Sequence, residues 1–126
     1  MCIRDRYSAG MAYLNIKDYQ NAIAYLDQFN SDDVLLGALA KGAIGDAFAQ
    51  MGQLEDAFDY YVTASNINNN MYSTPKFLYK AAMIGSKLGK DSQALTYLER
   101  IDKEFKESQE ANMVAVQIAK LKSILK

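Results

Sequence analysis

The feature that most constrains this chain is a pattern that returns at a near-constant interval. Gly10 is followed by Gly45 after 35 residues and by Ala82 after a further 37; Ala22, Ala57 and Ala94 stand at the same two intervals. Two landmarks sharing one offset mark a repeated unit, and a unit of this length cannot bury an apolar face alone. Within each unit the apolar spacing is helical: Ala22, Ile23, Leu26 and Phe29 share a face, as do Ala57, Phe58, Tyr61 and Val62, and Ala94, Leu95, Leu98 and Ile101. The chain must therefore stack helices so that each unit covers the next.

Seven helices are expected, near 7–15, 19–29, 33–51, 54–67, 75–88, 92–105 and 109–125. Gly52 and Gly89 stand where a helix end needs a left-handed residue. Asp18 and Asp91 are placed to cap the helices that follow, and Ser31 or Asp32 the long central helix. Thr74-Pro75 reads as a cap followed by a first-turn proline. Asn66 to Asn70, with four asparagines in five residues, reads as a connecting loop. The last helix carries a stripe of Ala111, Val114, Ile118, Leu121 and Leu125. Gln109, Glu110, Lys120, Lys122 and Lys126 supply much of its polar remainder, with Ser108 as its cap. Such a helix closes the end of a stack.

Residues 1–6, Met1-Cys2-Ile3-Arg4-Asp5-Arg6, fit none of this pattern. They resemble the translation of a transposase adapter used in preparing sequencing libraries. The segment is set aside as a non-native scar, and with it the single cysteine; the native reading frame is expected to begin upstream. Residues 7–126 then form one domain, with units at about 7–30, 33–68 and 75–106 and a capping helix at about 109–125.

Composition removes several classes of chemistry. There is no histidine and one cysteine, so a zinc cage, a disulfide framework and a histidine-based triad are excluded. The net charge of -1 provides no bulk basic field for nucleic acid or an acidic membrane. No phosphate-binding glycine motif occurs; Gly42 and Gly45 lie inside an expected helix and read as packing positions. Asp32-Asp33 lacks further ligands at loop spacing and reads as a cap. Glu104, Glu107 and Glu110 read as a solvated face, and Tyr25, Tyr60 and Tyr61 as gap-fillers between helices. No catalytic residues, metal or cofactor are expected.

The units resemble tetratricopeptide repeats. That family sets a small residue and then an aromatic three positions later in the first helix, as in Gly10 with Tyr13 and Gly45 with Phe48, and an alanine in the second helix, as in Ala22, Ala57 and Ala94. The likeness covers about residues 7–105. Lys41 and Leu78 replace the leading aromatic, Gly85 replaces a later one, and the terminal proline is missing from the first two units. Divergent repeats with a charged last helix are similar to bacterial cell-envelope members, including an anchored, periplasm-facing type that accompanies the secretion translocon.

The resemblance implies an all-α solenoid of about three helix-turn-helix repeats plus a capping helix. It implies a non-catalytic module that binds a peptide or helix in a concave groove lined by the first helix of each pair. By helical geometry the lining residues are Tyr7, Met11 and Asn15, then Asp46, Ala49 and Gln50, then Lys76, Tyr79, Met83 and Lys87. Mixed Tyr, Met, Asn and Lys suit an apolar peptide with a few polar contacts. The Lys and Asn set with which some members hold a terminal carboxylate is not reproduced: Tyr7, Met11 and Ala43 occupy its positions, and only Lys76 and Lys80 fit the basic half. A protein or peptide partner is therefore expected, with no nucleic acid and no membrane contact. The alternative is a self-associating scaffold, dimerising through Tyr7, Met11 and Leu14 on the first helix. A periplasmic location is favoured over a cytoplasmic one.

Overall fold

The computed structural model describes residues 3–29 and 34–125, and these are helical with no strand. The helices are α1 (Ile3–Asn15), α2 (Tyr19–Asp27), α3 (Val34–Gln50), α4 (Leu54–Ile67), α5 (Thr74–Lys87), α6 (Asp91–Glu104) and α7 (Val114–Ile124), with a short 3-10 turn at Glu110–Asn112 before α7. Each helix packs on the next, and α1 also touches α3. That succession defines an α-solenoid. No helix among the described residues is long and apolar enough to cross a membrane.

The turns inside the three pairs are copies of one another. Lys17, Gly52 and Gly89 each have positive φ, at 65°, 78° and 80°. The next residue's N–H reaches back to the carbonyl five residues earlier: Asp18 to Tyr13 at 2.9 Å, Gln53 to Phe48 at 2.9 Å and Lys90 to Gly85 at 2.8 Å. The glycines satisfy this at no steric cost, whereas Lys17 holds a Cβ in the left-handed region. The sequence reading found the two glycines and missed the lysine, which lies 35 residues before Gly52.

Close approach of the helices depends on glycines facing large side chains. A Cβ on Gly10 would lie 2.5 Å from Leu26, one on Gly45 2.8 Å from the Tyr61 ring, and one on Gly42 2.0 Å from Phe77. Gly10 and Gly45 thus perform the same task one repeat apart, with Leu26 and Tyr61 as the matching knobs. Aromatic pairs brace the same interfaces: Tyr13 against Tyr25 at 5.3 Å and Phe48 against Tyr60 at 5.5 Å. In the third pair the aromatic position is Gly85. Phe58 of α4 fills the space, 2.9 Å from where a Cβ would stand, and pairs with Tyr97 at 6.3 Å. The departure from the family pattern is therefore compensated by the preceding repeat.

Several expected ends differ. α1 begins at Ile3, because residues 3–6 hold no helix breaker and Asp5 suits the first turn. Met1, Cys2, Ser31, Asp32, Asp33 and Lys126 lie outside the described residues. Asp18 caps α2, accepting from the Asn21 N–H at 3.4 Å and from the Asn21 amide at 2.8 Å. The equivalent position before α6 is Lys90; Asp91 is already helical and makes no cap. Thr74 is likewise inside α5. The Asn-rich loop is organised by Asn70, whose Oδ1 accepts the N–H groups of Tyr72 and Ser73, both at 2.8 Å. Thr74 Oγ1 donates to the Asn68 carbonyl at 2.9 Å. Ser108 Oγ accepts from the Ala111 N–H at 3.2 Å, so it anchors the 3-10 turn and α7 starts later than expected.

Two glycines of α3 should respond in opposite directions. A Cβ at Gly37 meets nothing within 4 Å, so Gly37→Ala raises stability by about 1 kcal/mol through helix propensity. Gly42→Ala lowers it by about 2 kcal/mol, because Phe77 is buried and stacked on Tyr61 and cannot retreat. Lys17→Gly should stabilise by about 1 kcal/mol and Gly52→Ala destabilise by a similar amount. Urea unfolding followed by circular dichroism checks all four; equal responses at Gly37 and Gly42 contradict the packing account.

Candidate partner-binding face

The C-terminal ends of α1 and α3 and the middle of α5 enclose an open hollow of about 480 Å³. It is lined by Leu14, Asn15, Lys17 and Tyr19 from the first repeat, Asp46, Ala49 and Gln50 from α3, Tyr61 of α4 and Lys80 of α5. Asp46 organises the middle. Its Oδ1 accepts from the Tyr61 hydroxyl at 2.5 Å and from Lys80 Nζ at 2.8 Å. Lys80 also lies over the Tyr61 ring, 5.6 Å from its centroid. The ion pair is about one-third exposed on both sides and contributes about 0.5 kcal/mol. Its larger effect is positional, since it ties α5 to α3 across the hollow.

Gly45 explains why Tyr61 can reach this network. The ring crosses the backbone of α3 at the glycine and delivers its hydroxyl to Asp46 one residue further along. Burial pushes the Tyr61 phenol well above its ordinary value of 10.0; the hydrogen bond to Asp46 and the charge of Asp46 push the same way. Tyr60, Tyr7 and Tyr97 are raised as well, chiefly by burial.

Of the residues expected to line the groove, the hollow brings together Asn15, Asp46, Ala49 and Gln50. Tyr7 and Met11 are half-buried against the first core cluster, with Tyr7 5.3 Å from Phe29. Tyr79 and Met83 are half-buried against the cluster that α5 shares with α6 and α7. Lys76 is exposed, with Nζ 5.5 Å from the Phe77 centroid, and Lys87 is exposed beside no charged partner among the described residues. Leu14, Lys17, Tyr19, Tyr61 and Lys80 line the hollow as well, although helical geometry did not mark them as groove positions. The spacing of Lys17 to Gly52 was the available signal for Lys17.

α7 also differs from a polar cap. Of the expected stripe, Val114 and Leu121 are buried and Ala111 and Ile118 half-buried, but Leu125 is exposed, since it follows the last turn of α7 with no helix beyond it among the described residues. Adding 37 to Lys76, Tyr79, Met83 and Lys87 gives Met113, Val116, Lys120 and Ile124. α7 thus repeats the register of α5, and three of these four positions are exposed apolar side chains, with Val116 63% and Ile124 62% accessible.

Among the described residues no three acidic or thiol side chains converge as metal ligands do, and no buried side-chain nitrogen or oxygen lacks a hydrogen-bond partner. The fold and this face define a helical repeat array with a groove along its first helices. Residues 6–30, which span α1 and α2, match the model of the tetratricopeptide repeat family. Over those residues the chain is similar to a tetratricopeptide repeat, and the consecutive packing of the described helices is consistent with an α-solenoid of that kind. No curated protein matches it.

Above pH 10 an unfolded chain releases its phenol protons while native Tyr61 keeps its own. Stability is therefore complete below pH 10 and falls as pH rises toward the native value. Thermal midpoints measured from about pH 9 to about pH 11.5 should drop, and Tyr61→Phe should make the drop shallower. A slope unchanged by that substitution contradicts the assignment.

Proposed function

We propose that this chain is a protein–protein interaction module that holds a peptide or helix of its partner on the concave face of the array. Tetratricopeptide repeats generally mediate protein–protein interaction and are generally non-catalytic. The observation that carries the reading is the hollow across α1, α3 and α5, where Asn15, Lys17, Gln50 and the Asp46–Lys80 pair offer hydrogen-bonding groups beside Leu14 and Ala49. Backbone and side-chain polar groups of a bound segment find partners there. Tyr7, Met11, Tyr79 and Met83 supply half-buried apolar surface along the same helices, and Lys76 and Lys87 set register by charge. A place in cell-envelope protein biogenesis or secretion follows from the likeness of the divergent repeats to envelope proteins of that kind.

The test is amide NMR of the full chain with peptides selected from a random display library. Shifts confined to α1, α3, α5 and α7 are expected. Shifts confined to α2, α4 and α6, or no selected peptide at all, overturn the reading.

A second reading, self-association, is favoured by one observation. Ala9, Ala12 and Tyr13 of α1 and Ile16 just beyond its end, 72% accessible, line a shallow recess of about 290 Å³. Tyr7, Met11 and Leu14 are instead packed against the core. Sedimentation equilibrium should show a dimer that Ile16→Glu dissociates; a monomer at high concentration removes this reading.

A further inference from the structure

On α4, α5 and α7 of this nearly neutral chain the charges are of a single sign. α5 carries Lys76, Lys80 and Lys87, and α7 carries Lys120 and Lys122; neither holds an Asp or Glu. α4 carries Glu55, Asp56 and Asp59 and no base. α5 and α7 share one register, whereas α1, α3 and α6 carry charges of both signs.

The lysines of this half stand among apolar side chains. Met113 at the cap of α7 and Val116, Lys120 and Ile124 within it recur at helical spacing, in the register that Lys76, Tyr79, Met83 and Lys87 hold on α5. Lys80 is committed to Asp46, whereas Lys76, Lys87 and Lys120 have no ion-pair partner among the described residues. An apolar strip rimmed by unpaired lysines is complementary to one kind of surface: apolar side chains flanked by carboxylates.

We propose that the α5–α7 half of the concave face docks an acidic amphipathic segment of a partner protein, its apolar side chains on Val116, Ile124 and Met113 and its Asp or Glu side chains on Lys87, Lys120 and Lys76. This rests on the groove reading above and names both its occupant and its position. Apolar contacts supply affinity, and the lysines exclude basic segments and speed encounter. The interleaved Met, Val and Ile favour a protein segment over a phosphate backbone, which offers no apolar edge to meet them.

The experiment uses the full chain and two synthetic peptides of about 18 residues that share one Leu/Ile stripe, one with Glu and one with Lys on the polar face. Fluorescence anisotropy should show the Glu peptide binding about tenfold or more tighter, with the preference shrinking as salt rises. Val116→Asp should cost about tenfold, and Gln50→Arg in the hollow should cost less. The double variant Lys87→Glu/Lys120→Glu should invert the preference toward the Lys peptide. Equal binding of the two peptides, or a double variant that keeps the original preference, overturns the proposal. So does saturation of the same face by anionic phospholipid vesicles, or a chain dimer that Val116→Asp dissociates. If library-selected peptides shift α1 and α3 and are lost to Gln50→Arg alone, the groove reading stands and this inference fails; if none is selected, both fail.

Discussion

The arrangement depends on the absence of a side chain at a few points of the first helices. Where Gly10, Gly45 and Gly42 leave the backbone bare, Leu26, Tyr61 and Phe77 press onto it. Helices brought this close gain dispersion contacts over their whole length, and their relative angle is set by where the knob enters. The approach of Leu26 to Gly10 recurs one repeat on as that of Tyr61 to Gly45, and alanine takes the glycine's place at Ala82 in the third pair. A protein of three helix pairs has no deep core on which to rely; its buried side chains are divided into three clusters, each spanning neighbouring helices. The glycine contacts hold those clusters in register.

The candidate face inherits its chemistry from this packing. Tyr61 is a knob in the interface of α3 and α4, and only because it crosses α3 at Gly45 does its hydroxyl meet Asp46. Asp46 then recruits Lys80 from the next repeat. A structural tyrosine, a groove carboxylate and a lysine of another repeat thus form one unit, so the position of α5 against α3 and the shape of the hollow are coupled. Lys17 shows the opposite economy: a side chain that tolerates left-handed backbone lines this hollow where the other repeats place glycine at the turn.

Much of this was legible in one dimension. The helical spacing and the two equal offsets located the helices to within a few residues, because the apolar period reflects a geometry that every helix shares. Gly52 and Gly89 announced their turns for the same reason. Helix starts were less legible. Asp91 and Thr74 have capping side chains, yet Lys90 and Ser73 stand at the caps; Lys90 falls 37 residues after Gln53, the cap of α4, so there the repeat register prevails over the local side chain. Gly85 read as a departure from the pattern, and its compensation by Phe58 lies in a different repeat, beyond the reach of local spacing. Of the α7 stripe, Val114, Ile118 and Leu121 face the core while Leu125 stays open, and the exposed flank at Val116 and Ile124 went unread, since which apolar residues stay open depends on what packs beside them.

What the sequence determined by itself is the class of fold: helical periodicity and a recurring offset allow little else, since local backbone geometry and the need to cover an apolar face act on every unit alike. Tertiary structure decided which side chains are available. Asn15, Asp46 and Gln50 share a hollow, while Tyr7, Met11, Tyr79 and Met83 are half-covered by neighbours, and Met113, Val116 and Ile124 are open. The physical reason is that exposure belongs to pairs of elements. A residue's position on its own helix follows from its number, but whether another helix covers it follows only from how the helices come together.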